Sequence, residues 1–321
     1  MHTEMFPIND GSAWLEKALA VLRTGGVVGV PTETVYGLAG DATRADAVAA
    51  IYAAKGRPAH NPLIAHVADL EMAERYAVFN DRARQLADTF WPGPLTLVLP
   101  LSTDADLAPA VTAGGDSLAV RCPLGPLRDL ADALGHPLAA PSANLSGHVS
   151  STSAHHVLSD LQGRIPLILD GGATSLGLES TILDMRGETP VLLRPGAVDA
   201  ECLEATLGAP FTTTTGDPSD VPVAPGQLAS HYAPRVPVRL NVLPQDVKQG
   251  EAYLGFGQHA LPEHANLSAS GDVSAAAEVL YAALRTLDQQ RPTAIAIAPI
   301  PTEGLGRALA DRLQRAAAPR S

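Results

Sequence analysis

Apolar residues along this chain fall into short blocks, separated by stretches with helical spacing. Val27-Val28-Gly29-Val30 is a continuous apolar run stopped by Pro31, the pattern of a strand covered on both faces. Similar runs at 63–67, 95–99, 118–121, 138–140, 167–169, 180–184 and 191–193 predict further strands. Between them lie helical patterns. One covers Ala13 to Arg23 and should stop at Gly25-Gly26. Another runs from a cap at Thr43 to Lys55, with Val48, Ile51, Tyr52 and Lys55 on one face. Two more are opened by Asp69 and Asn80. Many strands interleaved with helices predict an α/β layered fold.

The pattern lapses between Gly208 and Pro234. Thr212-Thr213-Thr214-Thr215 is followed by Pro218, Pro222, Pro225 and Pro234, with Gly216 and Gly226 among them. This composition predicts a linker, semi-rigid where proline is dense. Strand patterns then return at 238–242, 252–256 and 294–298, with helices near Val273–Gln289 and 303–316, as in a small βα unit. The expected organisation is a large domain over residues 11–200, a linker over 208–234 and a C-terminal domain over 235–321.

Composition narrows the class. With 46% apolar and 17% charged residues among 321, the chain can bury ordinary cores. Its 22 basic and 34 acidic side chains give a net charge of −12, and both sides of residue 200 are acidic. A basic coat for gripping nucleic acid is therefore not expected. Cys122 and Cys202 are the only cysteines, too few for a disulfide framework or a Cys-based zinc site. No apolar run approaches a membrane span and the start does not resemble a signal peptide, so a soluble, cytoplasmic protein is expected.

Common chemical signatures are missing: there is no phosphate loop of the Gly-x4-Gly-Lys-Ser/Thr type, no Gly-x-Ser-x-Gly elbow and no His-Glu-x-x-His. Gly255-Phe256-Gly257-Gln258-His259-Ala260 fits a dinucleotide pattern formally, but Pro262 falls where the phosphate-binding helix should continue. His155-His156 point to different sides of a helix and read as surface histidines rather than metal ligands.

Other segments carry more. Pro31-Thr32-Glu33-Thr34-Val35-Tyr36-Gly37-Leu38 puts hydroxyls and a carboxylate beyond a strand, where α/β folds bind ligands. Lys55-Gly56-Arg57-Pro58-Ala59-His60-Asn61-Pro62-Leu63 places two cations in a stiffened loop, able to face one anion as point charge and fork. Pro141-Ser142-Ala143-Asn144-Leu145-Ser146-Gly147 offers hydroxyl and amide groups. Glu179-Ser180-Thr181 and Leu193-Arg194-Pro195-Gly196 add a further candidate anion ligand in Arg194. His231-Tyr232 sits in the linker, where aromatic rings should find little to pack against.

Taken in order, these segments, with Phe90-Trp91-Pro92-Gly93-Pro94-Leu95-Thr96, resemble the motif series of the YrdC/Sua5 family over residues 11–200. Pro225-Gly226 and Ser230-His231-Tyr232-Ala233-Pro234 resemble the linker of the family's long, Sua5-type form. The resemblance implies a YrdC-like twisted mixed sheet with flanking helices, joined by the Pro-rich linker to a small Rossmann-like α/β C-terminal domain. It implies an L-threonylcarbamoyladenylate synthase, a nucleotidyltransferase making threonylcarbamoyl-AMP and pyrophosphate from L-threonine, bicarbonate and ATP. A partner complex would then transfer the threonylcarbamoyl group to adenosine 37 of tRNAs reading ANN codons, without tight tRNA binding by this chain alone. By the same resemblance, Lys55, Arg57, Ser142 and Asn144 form the catalytic tetrad. Thr34, His66, Arg121, Ser142 and Ser180 fall where threonine is held. Arg57, Asn61, Ser117, Asn144, Thr152, Arg194 and His231 fall where the nucleotide is held. Mg²⁺ is expected with ATP, held by its phosphates and water, and the linker is expected to cover the site.

In one place the chain departs from the family: Ser150-Ser151-Thr152 stands where many members have Ser-Pro-Thr, which bears on the loop that carries Thr152. Rival readings are a non-catalytic RNA-binding or regulatory protein on the YrdC fold, and a carbamoyl-transfer module of the hydrogenase-maturation type. The acidic charge opposes the first; two lone cysteines cannot build the Cys-rich zinc region that accompanies the second.

Overall fold

The computed structural model describes residues 1–9, 11–213, 224–225 and 230–319. Thr214, Thr215, Gly216, Pro218, Pro222 and Gly226 of the linker lie outside the described residues. The first part of the chain supplies β1 (Glu4–Pro7), β2 (Val28–Val30), β3 (Gly37–Asp41), β4 (Ile64–His66), β5 (Leu95–Pro100) and β6 (Ser117–Arg121). It continues with β7 (Leu138–Ala139), β8 (Leu167–Asp170), β9 (Thr181–Asp184), β10 (Val191–Arg194) and β11 (Thr212–Thr213). Among the described residues these strands form one mixed sheet, in the order β1-β8-β2-β3-β7-β4-β6-β5-β9-β10-β11. Helices α1 (Ala13–Arg23), α2 (Ala45–Lys55), α3 (Leu70–Glu74), α4 (Asp81–Phe90), α5 (Pro126–Leu134), α6 (Ala154–Leu161) and α7 (Ala200–Leu207) flank it.

A second sheet is built from β12 (Val238–Arg239), β13 (Ala252–Gly255), β14 (Ala265–Asn266) and β15 (Ile295–Ile297). Its order is β12-β15-β13-β14 and every pairing is parallel. With α8 (Val273–Gln289) and α9 (Leu305–Ala317) it makes the expected Rossmann-like C-terminal domain. The dinucleotide-like pattern after β13 becomes a three-residue 3₁₀ turn, Gly257–His259, and not the start of a phosphate-binding helix.

Local signals fix several ends. The Asp69 and Asn80 side chains accept hydrogen bonds from Met72 N and Ala83 N, capping α3 and α4 as the sequence predicts. Gly56 closes α2 in the left-handed region at φ 61°. Thr43 is not a cap: its amide and hydroxyl both donate to Asp41 Oδ1, and Arg44 occupies the cap position. Strand β3 escapes the apolar pattern because Gly37 and Gly40 interrupt it. A Cβ at Gly40 would meet Ile51 of α2 at 3.2 Å, so glycine there lets helix and strand approach closely.

The central strands are apolar in their middles because both faces are covered, and polar only at their ends. Ala65 of β4, Leu118 and Val120 of β6, and Leu183 of β9 enter the main core. Their neighbours Ile64, Ala119 and Ile182 form a small cluster on the opposite face, joined by Leu193 and by Ala224 from the linker. That second face carries the site.

The two sheets share apolar packing. Val35, Val149 and Leu178 of the large-sheet region, and Tyr232 of the linker, belong to the hydrophobic cluster of the C-terminal domain. At Gly177 (φ 69°) the backbone runs against α8, where an added Cβ would lie 2.6 Å from Glu278 Cα and closer still to Ala277 O. Gly177→Ala should therefore destabilise the fold by about 2–4 kcal/mol, adding left-handed strain to overpacking. The check is urea denaturation of the full chain; an unchanged midpoint would show that the contact is not tight.

Candidate active site

Pairing register brings the polar positions together. Strands β4 and β6 run parallel with His66 opposite Arg121, so both side chains emerge side by side at the carboxyl ends. Strand β10 is antiparallel to β9, and Arg194 pairs with Ile182 across a register shift. Arg194 Nε and Nη2 donate to Ser180 O at 3.1 and 2.9 Å, and Nη2 also reaches Ser180 Oγ at 3.1 Å. Ser180 Oγ lies 2.7 Å from Thr96 Oγ1. A Cβ at Gly196 would collide with the Glu179–Thr181 backbone, so this turn admits no larger residue.

A cavity of about 50 Å³ lies on this face. Thr34, Arg57, His66, Arg121, Ser142, Ser180, Arg194 and His231 line it, so eight residues scattered through the sequence converge. Val35, Ile64, Ala140 and Pro141 give it an apolar wall, and Pro225 with Tyr232 closes it from the linker. By the space one buried water needs, ~10–15 Å³, the volume suits a few waters and no nucleoside triphosphate. Of the linker's described residues, Pro225, His231 and Tyr232 lie against the cavity. His231 and Tyr232, expected to pack on little, are buried (7% and 1% exposed).

Arg57 is held by its own loop: Nε donates to Asn61 O, and Nη2 donates to Asn61 Oδ1 and Pro62 O at 2.7 Å each. Burial brings its pKa down to about 10. Arg121 donates through Nε to Gly93 O, and its Nη2 lies 2.8 Å from Glu33 Oε1, at ion-pair distance without hydrogen-bond alignment. Burial, then the Arg121 charge, lowers the His66 pKa to about 3, so the imidazole is neutral. His66 Nδ1, His231 Nδ1, Tyr232 Oη and Asn144 Oδ1 are buried with no hydrogen-bond partner among the described residues. Such groups mark a site with unused polar capacity.

Other predicted residues stand behind the cavity wall. Lys55 Nζ donates to Ser142 O and Asn144 O at 2.6 Å each and pins the 141–147 loop. Burial and the Arg57 charge hold its pKa well below the ordinary amine value. Asn144 Nδ2 donates to Leu145 O and His148 O. Asn61 supports Arg57. Thr152 is buried, 3.3 Å from His156 Nδ1; His156 is half-buried on α6, whereas the sequence placed it on the surface. Ser117 begins β6, about 13 Å along the strand from Arg121, and does not line the cavity.

One group went unassigned in the sequence: Glu179. It lines the cavity, yet its carboxylate accepts hydrogen bonds from Ser150 Oγ (2.5 Å), Tyr281 Oη (2.8 Å) and Arg312 Nε (2.8 Å). Burial would raise its pKa, but Arg312, Arg194 and the Ser150 hydrogen bond outweigh that and leave it at about 2. Its place in the Glu-Ser-Thr motif was the visible signal; its partners 102 and 133 residues away were not.

The donor set offers no protein cage for Mg²⁺. Glu33 and Glu179 already face arginines, and no group of three or more His, Cys, Asp or Glu able to hold a metal occurs among the described residues. Likewise, no helix among the described residues is long and apolar enough to cross a membrane.

The fold is a mixed sheet with an arginine-lined cavity, bordered by Pro225, His231 and Tyr232, and a separate Rossmann-like domain. Residues 20–196 match the Sua5/YciO/YrdC family model, described as "Telomere recombination". Residues 198–318 match the model described as "Threonylcarbamoyl-AMP synthase, C-terminal domain". The chain is 42% identical to the threonylcarbamoyl-AMP synthase of Bacillus subtilis, over 98% of this chain and 95% of that one. It is 40% identical to the Pyrococcus abyssi protein of the same name, over 93% and 92%. The crystal structure of P. abyssi Sua5 complexed with L-threonine superposes with a TM-score of 0.90 at 37% identity, covering 99% of this chain and 98% of that one. The chain belongs to the YrdC/Sua5 family, in its long form, and is one of that family's nucleotidyltransferases.

The neutral histidines make stability pH-dependent. His66 and His231 are lowered to about 3, and His156 to about 4, in each case chiefly by burial. Below pH ~6.5 the unfolded chain takes up protons that the folded chain refuses, so stability falls as pH falls. Each fully buried ring should contribute a slope of up to about 1.4 kcal/mol per pH unit between pH 6.5 and 5. Denaturant midpoints across that window should drop steeply, and His66→Asn should flatten the slope by one ring's share. A flat profile would contradict neutral burial.

Proposed function

We propose that this cavity is where the chain makes threonylcarbamoyl-AMP from L-threonine, bicarbonate and ATP. The observation that carries the reading is the convergence of Arg57, Arg121 and Arg194 with Thr34, Ser142 and Ser180 on one enclosed volume. No acyl-enzyme is needed. The threonine amine adds to bicarbonate with loss of water, giving a carbamate; a carbamate oxygen then attacks the α-phosphorus of ATP and pyrophosphate leaves. Such an in-line displacement needs positioning and charge neutralisation more than a protein nucleophile.

Under this assignment Arg121, steadied by Gly93 O and Glu33, takes the threonine carboxylate, with Thr34 and Ser180 beside the substrate hydroxyl and amine. Arg57 and Arg194 neutralise the phosphates, supported by Asn61, Asn144, Thr152 and His231 around the nucleotide; Ser117, at the far end of β6, is left out of this arrangement. Lys55 sets the 141–147 loop, so its part in the tetrad is positional. His66, with a pKa of about 3, is a hydrogen-bond partner and too weak a base to take the ammonium proton. A Mg²⁺ bound by the triphosphate and water would supply further charge neutralisation. Because the cavity is too small for ATP, the linker residues Pro225, His231 and Tyr232 must lift from it for the nucleotide to enter. The product is then consumed in forming threonylcarbamoyladenosine at adenosine 37 of tRNAs reading ANN codons. The net charge of −12 supports a supplier of a small intermediate over an RNA-binding protein.

Pyrophosphate release by the full chain should require both L-threonine and bicarbonate. Arg57→Ala should lower it ~10²–10³-fold, the scale of one lost charge-stabilising contact. Release that ignores threonine, or a near-wild-type rate in the variant, would refute the assignment.

A further inference from the structure

Arg285 of α8 reaches out of its own domain. Its Nη1 and Nη2 lie 3.1 and 2.8 Å from the Asp160 carboxylate of α6, and Nε donates to Ser150 O at 3.2 Å. Nη2 also donates to Val149 O and, at 3.2 Å, to Ser151 Oγ. Arg312 of α9 reaches the same segment through Glu179: Arg312 Nε donates to Oε2, while Oε1 accepts from Ser150 Oγ. Ser150 is thereby held at its carbonyl by one helix of the C-terminal domain and at its hydroxyl, through one carboxylate, by the other.

The held segment leads straight into the site. Ser151 Oγ donates to Ala143 O in the 141–147 loop, and Tyr36 N donates to Ser151 O. Thr152 follows directly. Where a proline would leave this position without a hydroxyl, Ser151 contributes one that contacts both the loop and Arg285. A planar guanidinium can serve two carbonyls, a hydroxyl and a carboxylate at once; an ammonium cannot match that fork.

We propose that Arg285 and Arg312 are positioning residues of the nucleotide site, supplied by the C-terminal domain to fix the 149–152 segment. The inference rests on the functional reading given above. It goes beyond covering the cavity, because the domain sets the geometry of loops it does not itself contain. Both arginines are almost wholly removed from solvent, with side chains 11% and 0% exposed, so neither has freedom to swing away.

The test is calorimetric titration of the full chain with a non-hydrolysable ATP analogue and, separately, with L-threonine, alongside thermal unfolding. Arg285→Met should weaken analogue binding at least tenfold and leave the threonine Kd within twofold. Arg285→Lys, keeping only the Asp160 pair, should fall between. Arg312→Met should likewise weaken the analogue at least tenfold, with a smaller threonine loss transmitted through Glu179 beside Ser180; if it fails to fold, Arg312→Lys, which keeps a cation on Glu179, should show an intermediate analogue loss. Unchanged analogue binding in folded variants would overturn the proposal. So would parallel losses for both ligands that track the fall in Tm, the mark of simple interface packing. A wild-type chain that binds neither ligand would instead reject the functional reading, and this proposal with it.

Discussion

A carboxylate and a guanidinium, both taken out of water, meet where every part of this molecule converges. Glu179 lines the cavity, one residue before Ser180; Arg312 is fully buried in α9 of the C-terminal domain. Their 2.8 Å contact is completed by Ser150, Tyr281 and Pro195 O, so neither charge is left bare. A buried pair of this kind is weak proof of net stability, but removing one partner costs about 3–5 kcal/mol because the other is stranded. That asymmetry couples the two domains, most strongly on the Glu179 side, because Arg312 also pairs with Asp311 of its own helix.

The linker depends on the same point. The Tyr232 ring lies 5.1 Å from the Arg312 guanidinium and stacks on Tyr281 at 5.8 Å, while His231 packs edge-on to Tyr232 at 4.1 Å. Tyr232 adopts a positive φ of 60°, a conformation that a bulky residue holds only when its surroundings compensate. The His231 amide donates to Arg315 O, again in α9. The C-terminal domain therefore holds His231 and Tyr232 in place, through Tyr281, Arg312 and Arg315 O.

The sequence showed a good part of this and for clear reasons. Continuous apolar runs located β2, β4, β5, β6, β9 and β10, because strands covered on both faces carry no alternation. Four of the described strands were missed: β3 is broken by Gly37 and Gly40, which serve close packing, β1 is a half-buried edge pairing with β8, and β11 and β14 are two-residue edge strands, β11 lying in the stretch read as linker. Cavity-lining residues such as Arg57, Ser142 and Arg194 stood out because each sits in or beside a segment with distinctive Gly, Pro or Ser content. Arg312 and Arg285 could not, since each lies in an ordinary amphipathic helix, and only the tertiary fold brings them to Glu179 and Ser150. Lys55 stood out in the sequence, but its contacts with the carbonyls of Ser142 and Asn144 could not be read there, because they lie 87 and 89 residues away.

The most direct test of the account is a structure of the full chain with L-threonine and a non-hydrolysable ATP analogue bound. The account predicts the phosphates between Arg57 and Arg194, the threonine carboxylate on Arg121, and the linker's His231-Tyr232 displaced far enough to admit the nucleotide. A nucleotide bound at the Gly257–His259 turn of the C-terminal domain, with the cavity still closed and empty, would contradict it.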